Sequence, residues 1–208
     1  MDKDFDKKFI EEYWLDSNTT ECLLAFAQNV KDQGLLRPGQ SGVNGVVNSV
    51  IKDCLETNLG QIPPQLIDSD QFFSYGLDKY KDHLIDKATQ YSHKYLGDLP
   101  ICTSGPPKIQ WYDPGQAYYA EHFDNGMEHD HRMIAFITYL QDIENGGGTQ
   151  FVHQNYTVKS EKGKTVFFPA GYTHLHKGIP APNDTKVIFT GWFQWFTALD
   201  ETVQRRVK

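Results

Sequence analysis

Cysteine is scarce in this chain: Cys22, Cys54 and Cys102 are scattered through 208 residues. Their odd number and wide spacing form neither a zinc pattern nor a disulfide framework, which points to a reducing, cytosolic compartment. Long apolar runs are absent too, and none approaches the roughly 20 residues that a membrane helix needs. The opening Met1-Asp2-Lys3-Asp4 is polar and acidic, with no apolar signal core behind it. No membrane partner is therefore expected. Positive charge is in deficit, with 20 Lys and Arg against 27 Asp and Glu and a formal net charge of −7. A general nucleic-acid binder would carry a basic face, so that class is disfavoured. Internal repeats and low-complexity segments are also missing.

What is present fits one structural domain with a substantial core. Aromatics make up 13% of the chain, a level that favours strands and a lined pocket. The pattern changes near residue 100. Residues 1–100 read as a helical N-terminal portion packing on a core sheet, and residues 101–208 read as strands. Asn18 or Thr19 can cap a helix through about Gln33, with Gly34 just past its end. A second helix is marked by Phe73, Leu77, Tyr80, Leu84, Ala88, Tyr91 and Tyr95 at steps of three and four, stopped by Gly97. Residues 34–48 are rich in Gly, Pro, Ser and Asn and read as loop.

Beyond residue 100 the period becomes two. Residues 133–140 form a strand apolar on both faces. Asn145-Gly146-Gly147-Gly148-Thr149 turns the chain, and Gln150-Phe151-Val152-His153 resumes it. Thr165-Val166-Phe167-Phe168-Pro169 is a further strand ended by proline. The last strand runs from Lys186 to Phe196. Short strands separated by turn signals favour a sandwich or barrel.

His122-Phe123-Asp124 carries the chemistry. On a strand, residues i and i+2 point the same way about 6.5 Å apart, so His122 and Asp124 can chelate one ion from one side. Two histidines and a carboxylate on one face suit non-haem iron(II) and leave positions open, whereas a closed zinc site would fill its fourth position. By geometry alone either His174 or His176 can be the distal ligand, since they share a strand face. His129-Asp130-His131 is a rival cluster, but its carboxylate falls on the opposite side of a strand and reads as solvated loop. Lys186 sits in an otherwise apolar strand. It is either an edge lysine guarding the sheet or a buried ammonium paired with an anionic ligand, because a buried charge without a partner is costly.

Taken in order, these motifs resemble the iron(II)- and 2-oxoglutarate-dependent dioxygenases, in their prolyl 4-hydroxylase-like branch of phage and bacterial type. The resemblance covers about residues 108–196. It rests on Tyr112-Asp113-Pro114-Gly115, Tyr119-Ala120-Glu121-His122-Phe123-Asp124, the segment from Arg132 to Tyr139-Leu140-Gln141-Asp142, and Gly147-Gly148-Thr149-Gln150-Phe151. Lys162-Gly163-Lys164 with Phe167-Phe168-Pro169, then His176-Lys177-Gly178-Ile179-Pro180, Lys186 and Trp192 complete it. Gln141 departs from the usual asparagine, and Gly148-Thr149-Gln150 replaces the usual Glu-Thr pair.

The resemblance implies a mainly β, α+β fold: a double-stranded β-helix (jelly-roll, cupin-like) flanked by N-terminal helices. It selects His176 over His174, because only that register matches Gly178 and Lys186. It implies iron bound by His122, Asp124 and His176, with 2-oxoglutarate held by Lys186, Tyr139 and Tyr112. Dioxygen is the co-substrate, ascorbate the reductant, and succinate and carbon dioxide the co-products. Trp192, Arg132 and Tyr119 become the candidates for the substrate side. The implied substrate is a prolyl residue in a peptide or protein. Alternatives are the same chemistry on a free amino acid, another side chain or a nucleobase, and a β-helix module that binds without catalysis.

Overall fold

The computed structural model describes residues 8–41, 45–126 and 129–196. The opening Met1–Asp4 and part of the 34–48 stretch lie outside them.

The chain begins with β1 (Glu11–Trp14) and α1 (Ser17–Asp32). The cap of α1 is Asp16, upstream of the expected Asn18 or Thr19. Asp16 is extended (φ −63°, ψ 154°), and its carboxylate accepts from the Thr19 amide at 2.9 Å and the Thr19 hydroxyl at 2.7 Å. A cap must reach the amide three residues on, which Asp16 does at the start of the regular turns. These bonds hold the Asp16 carboxyl below its ordinary range. Gly34 closes the helix at φ 66°.

Short strands follow: β2 (Arg37–Pro38), β3 (Gln40–Ser41), β4 (Val46–Val47) and β5 (Leu55–Asn58). Next come α2 (Pro64–Asp68) and the long α3 (Gln71–Tyr95), which buries Phe73, Tyr80, Leu84, Ala88 and Tyr91 on one face. The remaining strands are β6 (Ile101–Thr103), β7 (Lys108–Tyr112), β8 (Ile134–Tyr139), β9 (Thr149–Phe151), β10 (Tyr156–Val158), β11 (Lys164–Pro169), β12 (His176–Gly178) and β13 (Lys186–Trp195).

An eight-stranded sheet runs β1-β11-β8-β13-β7-β5-β2, with β6 also pairing to β13, and a smaller sheet runs β10-β9-β12. This is the mostly β, double-stranded β-helix architecture. The first hundred residues, read as helical, also supply β1, β5 and β2 to the large sheet. Two to four residues with charges and a proline, such as Glu11-Glu12-Tyr13-Trp14, carry too little periodicity to announce a strand.

Alternation sorts the side chains of the central strands. Ile134 and Phe136 of β8, with Phe189 and Phe193 of β13, pack under Leu23, Phe26, Tyr80 and Tyr91 of the helices. Ala135, Ile137 and Tyr139 face the other way, with Phe151, Phe168 and Ile188. A buried hydroxyl chain joins Tyr80 to Thr138 (2.8 Å) and Thr138 to Thr165 (2.9 Å), so the polar groups inside the apolar layer are satisfied. The second face lines a cavity of about 570 Å³ between the two sheets.

Candidate active site

His122 and His176 are brought opposite each other by an isolated antiparallel bridge, in which each amide donates to the other's carbonyl at 2.9 Å. Residues 120–124 therefore form no regular strand, contrary to the sequence reading. Convergence comes from this bridge and from the Asp124 amide, which donates to the Ala170 carbonyl at 2.9 Å. Among the described residues, His122, Asp124 and His176 are the group able to hold a metal ion, with ligand atoms within 4.8 Å of one another. His176 Nε2 lies 3.7 Å from Asp124 Oδ2.

The histidine tautomers follow from their partners. Nδ1 of His122 lies 2.9 Å from the Ala120 carbonyl, and Nδ1 of His176 lies 2.9 Å from the His174 carbonyl. A carbonyl only accepts, so both Nδ1 atoms carry the proton and both Nε2 lone pairs are free for a metal. Burial, reinforced by the neighbouring His176 ring, lowers the His122 pKa to about 4 and keeps it neutral. This donor set of two imidazole nitrogens and a carboxylate oxygen fits iron(II).

His174 does not enter this group. Its side chain is buried, with Nε2 2.9 Å from the Lys8 carbonyl, and its contribution to the site is the backbone carbonyl that orients His176. Asp130 and His131 are exposed, and their cluster stays outside the ligand group.

Lys186, at the start of β13, is 3% exposed and lines the cavity. Its ammonium has the Gly148 carbonyl at 3.4 Å and lies 5.2 Å from the Tyr112 ring and 5.7 Å from the Tyr139 ring. The edge-lysine reading does not apply, since β13 lies between β8 and β7. Burial pulls its pKa down to about 8. Among the described residues Lys186 has no carboxylate partner, so this buried, cavity-lining cation is poised for an anionic ligand.

The other sequence candidates divide. Tyr112 lines the cavity, and its hydroxyl donates to Gln110 Oε1 at 2.8 Å. Tyr139 stands one layer back, with its hydroxyl 2.6 Å from Thr149 Oγ1, and Thr149 is the residue that reaches the lining. Trp192 and Arg132 line the cavity together, the guanidinium 3.5 Å above the indole. Arg132 also donates to the Asp124 carbonyl at 3.3 Å. Tyr119 turns away and donates to the Gly115 carbonyl at 2.7 Å.

Its neighbour Tyr118 takes the place beside the metal group, stacked on His122 with ring centroids 3.6 Å apart at 11°. Sequence reasoning missed it because one register step separates the two tyrosines. It also missed Lys108 and Gln110, although their period of two with Tyr112 puts all three on one face of β7.

Residues 107–194 match the family model for the 2OG-Fe(II) oxygenase superfamily. No curated protein matches the chain in sequence. Among solved structures, a prolyl-4-hydroxylase from Pseudomonas putida is similar at 19% identity and TM-score 0.67, over 89% of this chain and 92% of that one. A viral collagen prolyl hydroxylase from Paramecium Bursaria Chlorella virus-1, solved as its 2OG complex, is similar at 20% identity and TM-score 0.64, over 92% and 99%. A Trichoplax adhaerens prolyl hydroxylase, in complex with a hypoxia inducible factor peptide fragment, reaches TM-score 0.72 at 19% identity, over 96% and 88%. At these identities the three structures show a shared fold, and the family model adds the oxygenase domain. Residues 107–194 thus match a 2OG-Fe(II) oxygenase superfamily domain, on a fold that the chain shares with these prolyl hydroxylases.

Proposed function

We propose that this enzyme hydroxylates prolyl residues in a peptide or protein, forming succinate and carbon dioxide as co-products. The observation that carries the reading is one cavity lined by the His122, Asp124 and His176 group, the buried Lys186 cation and the stacked Arg132–Trp192 pair. The similar structures include two prolyl hydroxylases solved with a co-substrate or a peptide.

His122, Asp124 and His176 hold the iron, which, when bound, supplies the oxidative chemistry with dioxygen and 2-oxoglutarate. Lys186 pairs with the distal carboxylate of 2-oxoglutarate. The Thr149 hydroxyl, backed by Tyr139, faces the same end, and the Tyr112 ring walls it. The Ala120 and His174 carbonyls fix the two imidazoles so that Nε2 of each faces the metal. Arg132 has two tasks: it grips the Asp124 carbonyl, and it stiffens Trp192 as a flat wall for the substrate. An extended proline-containing segment is already stiff and binds an aromatic wall at low entropic cost.

The test is incubation with iron(II), 2-oxoglutarate, ascorbate and a library of proline peptides, reading succinate and a +16 Da peptide product. His176→Ala is expected to abolish iron-dependent turnover, while His174→Ala keeps it. Succinate without any oxidised prolyl peptide would remove the prolyl substrate and keep the oxygenase.

A further inference from the structure

The protein is acidic as a whole, but its cavity is not. Among the described residues, the cavity wall carries Lys52, Lys108, Arg132 and Lys186 and a single acidic side chain, Asp124. Asp124 belongs to the metal group, and Lys186 serves the co-substrate in the reading above. The other three cations have neither role.

Their arrangement is built rather than incidental. Glu56, behind the wall, is buried and holds Lys52 Nζ at 2.5 Å and Gln110 Nε2 at 2.9 Å through Oε2. Burial pushes the Glu56 pKa up, but the Lys52 and Lys108 charges outweigh it and leave the carboxyl below its ordinary value. Glu56 Oε1 accepts the Gln40 amide at 3.2 Å and has Lys108 Nζ only loosely, at 3.9 Å. Lys108 is thus the under-compensated cation of the group. Burial depresses its pKa, the Glu56 charge opposes this in part, and the charges of Lys52 and Arg132 add to the depression.

Register places Lys108 away from the co-substrate end. Lys186 pairs with Tyr112, and Thr190 pairs with Lys108, on the adjacent β13 and β7. Four residues of strand separate the two positions by roughly 13 Å. At the Lys108 end the lining also holds two buried N–H donors without an acceptor among the described residues, Arg132 Nε and Trp192 Nε1. Lys108 Nζ lies 5.8 Å from the Trp192 ring, so these donors and the two cations share one wall.

We infer that the Lys108–Arg132–Trp192 wall is an anion subsite, and that the substrate carries a carboxylate there. The carboxylate would bond Lys108 and the orphaned donors, and Glu56 would position Lys52 and Gln110 beside it. This inference rests on the oxygenase reading of the same cavity and narrows its substrate class. The carboxylate has two possible sources: an acidic side chain close to the target proline in a peptide, or the α-carboxylate of a free amino acid.

The experiment compares proline peptides carrying Glu at each of the positions flanking the proline with their Gln and Lys twins, and L-proline with prolinamide. Binding is read by calorimetry and turnover by mass spectrometry. At least one Glu peptide, or L-proline over prolinamide, is expected to bind about tenfold tighter than its uncharged twin. The gain should shrink as salt rises. Lys108→Glu should reverse the order in favour of the Lys peptide. Should that variant not fold, the wild-type comparison still decides. Uncharged and carboxylate ligands binding equally, within about twofold, would overturn the subsite. Retained carboxylate preference without any oxidised proline removes the prolyl reading and leaves the subsite standing.

Discussion

A buried lysine that waits for its partner stores a conflict, and Lys186 shows it. In the ligand-free protein its pKa is about 8, against 10.5 for a free lysine, because burial penalises the charge. Between those two values the unfolded chain binds more protons than the folded one, so stability rises with pH across that window. The full penalty is present below pH 8. Lys186→Met should therefore raise the ligand-free melting temperature at pH 7, by a gain of up to about 3 kcal/mol. The same change should weaken 2-oxoglutarate binding roughly tenfold to a hundredfold, the loss of a charge-assisted bond. In the wild type, affinity for 2-oxoglutarate should be flat below pH 8 and fall about tenfold per unit above it, as the ammonium is lost. Calorimetric titration across pH with manganese in place of iron reads this. A flat profile to pH 10 would mean that Lys186 does not carry the interaction.

The helices show how much was legible in the sequence, and where legibility stopped. The stripe from Phe73 to Tyr95 predicted α3 to within two residues of its observed ends, because a long apolar period is a strong signal. Strands β8, β11 and β13 emerged as read, since alternation between two buried faces leaves little freedom. Strand β10 was not read, β9 stops at Phe151, and His174 lies in a 3-10 turn and not on a strand with His176. The grouping of His122, Asp124 and His176 was legible through the ordered motifs of the resemblance, while spacing alone left His174 and His176 level. The cap of α1 and the stacking tyrosine were not, because each depends on a single register step. The edge strands of the first half were not, because charges obscure a four-residue period. Nor could sequence show why α3 contains Gly76, a residue that weakens helix interiors. A Cβ there would stand 2.0 Å from Cys22 Sγ and 2.7 Å from Cys22 Cβ, so the glycine lets α1 and α3 approach. Helix propensity alone would make Gly76→Ala stabilising by about 1 kcal/mol. The overlap reverses the sign, and a net loss of about 1–2 kcal/mol is expected. Cys22→Ala should recover part of that loss in the double variant, a favourable coupling measurable by urea denaturation. A stabilised Gly76→Ala single variant would show that the helices are not in close contact there.

At the scale of the whole molecule, the change of pattern near residue 100 divides composition, and the packing crosses it. Phe136, Phe167, Phe189 and Phe193 of the strands are at most 2% exposed because Leu23, Phe26, Tyr80 and Tyr91 of the helices cover them. Strand β1 covers the β11 edge and β5 covers the β7 edge, so the second half alone would present two open edges. Uncovering four phenylalanines costs roughly 6–12 kcal/mol at 1.5–3 kcal/mol each. That is comparable with the roughly 5–15 kcal/mol by which a domain is stable at all. The cavity is divided in the same way, with Lys52 and the supporting Glu56 from the first half against Lys108, Gln110 and Lys186 from the second. Residues 101–208 expressed alone are therefore expected to show no cooperative thermal transition, to bind a hydrophobic dye and to associate through their edges. The full chain should melt in one step, at a temperature that rises when manganese and 2-oxoglutarate are added, because the ligands bind only the assembled cavity. A fragment 101–208 that unfolded cooperatively and gained the same ligand-induced shift would show that the second half alone builds the site, leaving the helices and β5 as accessories to it.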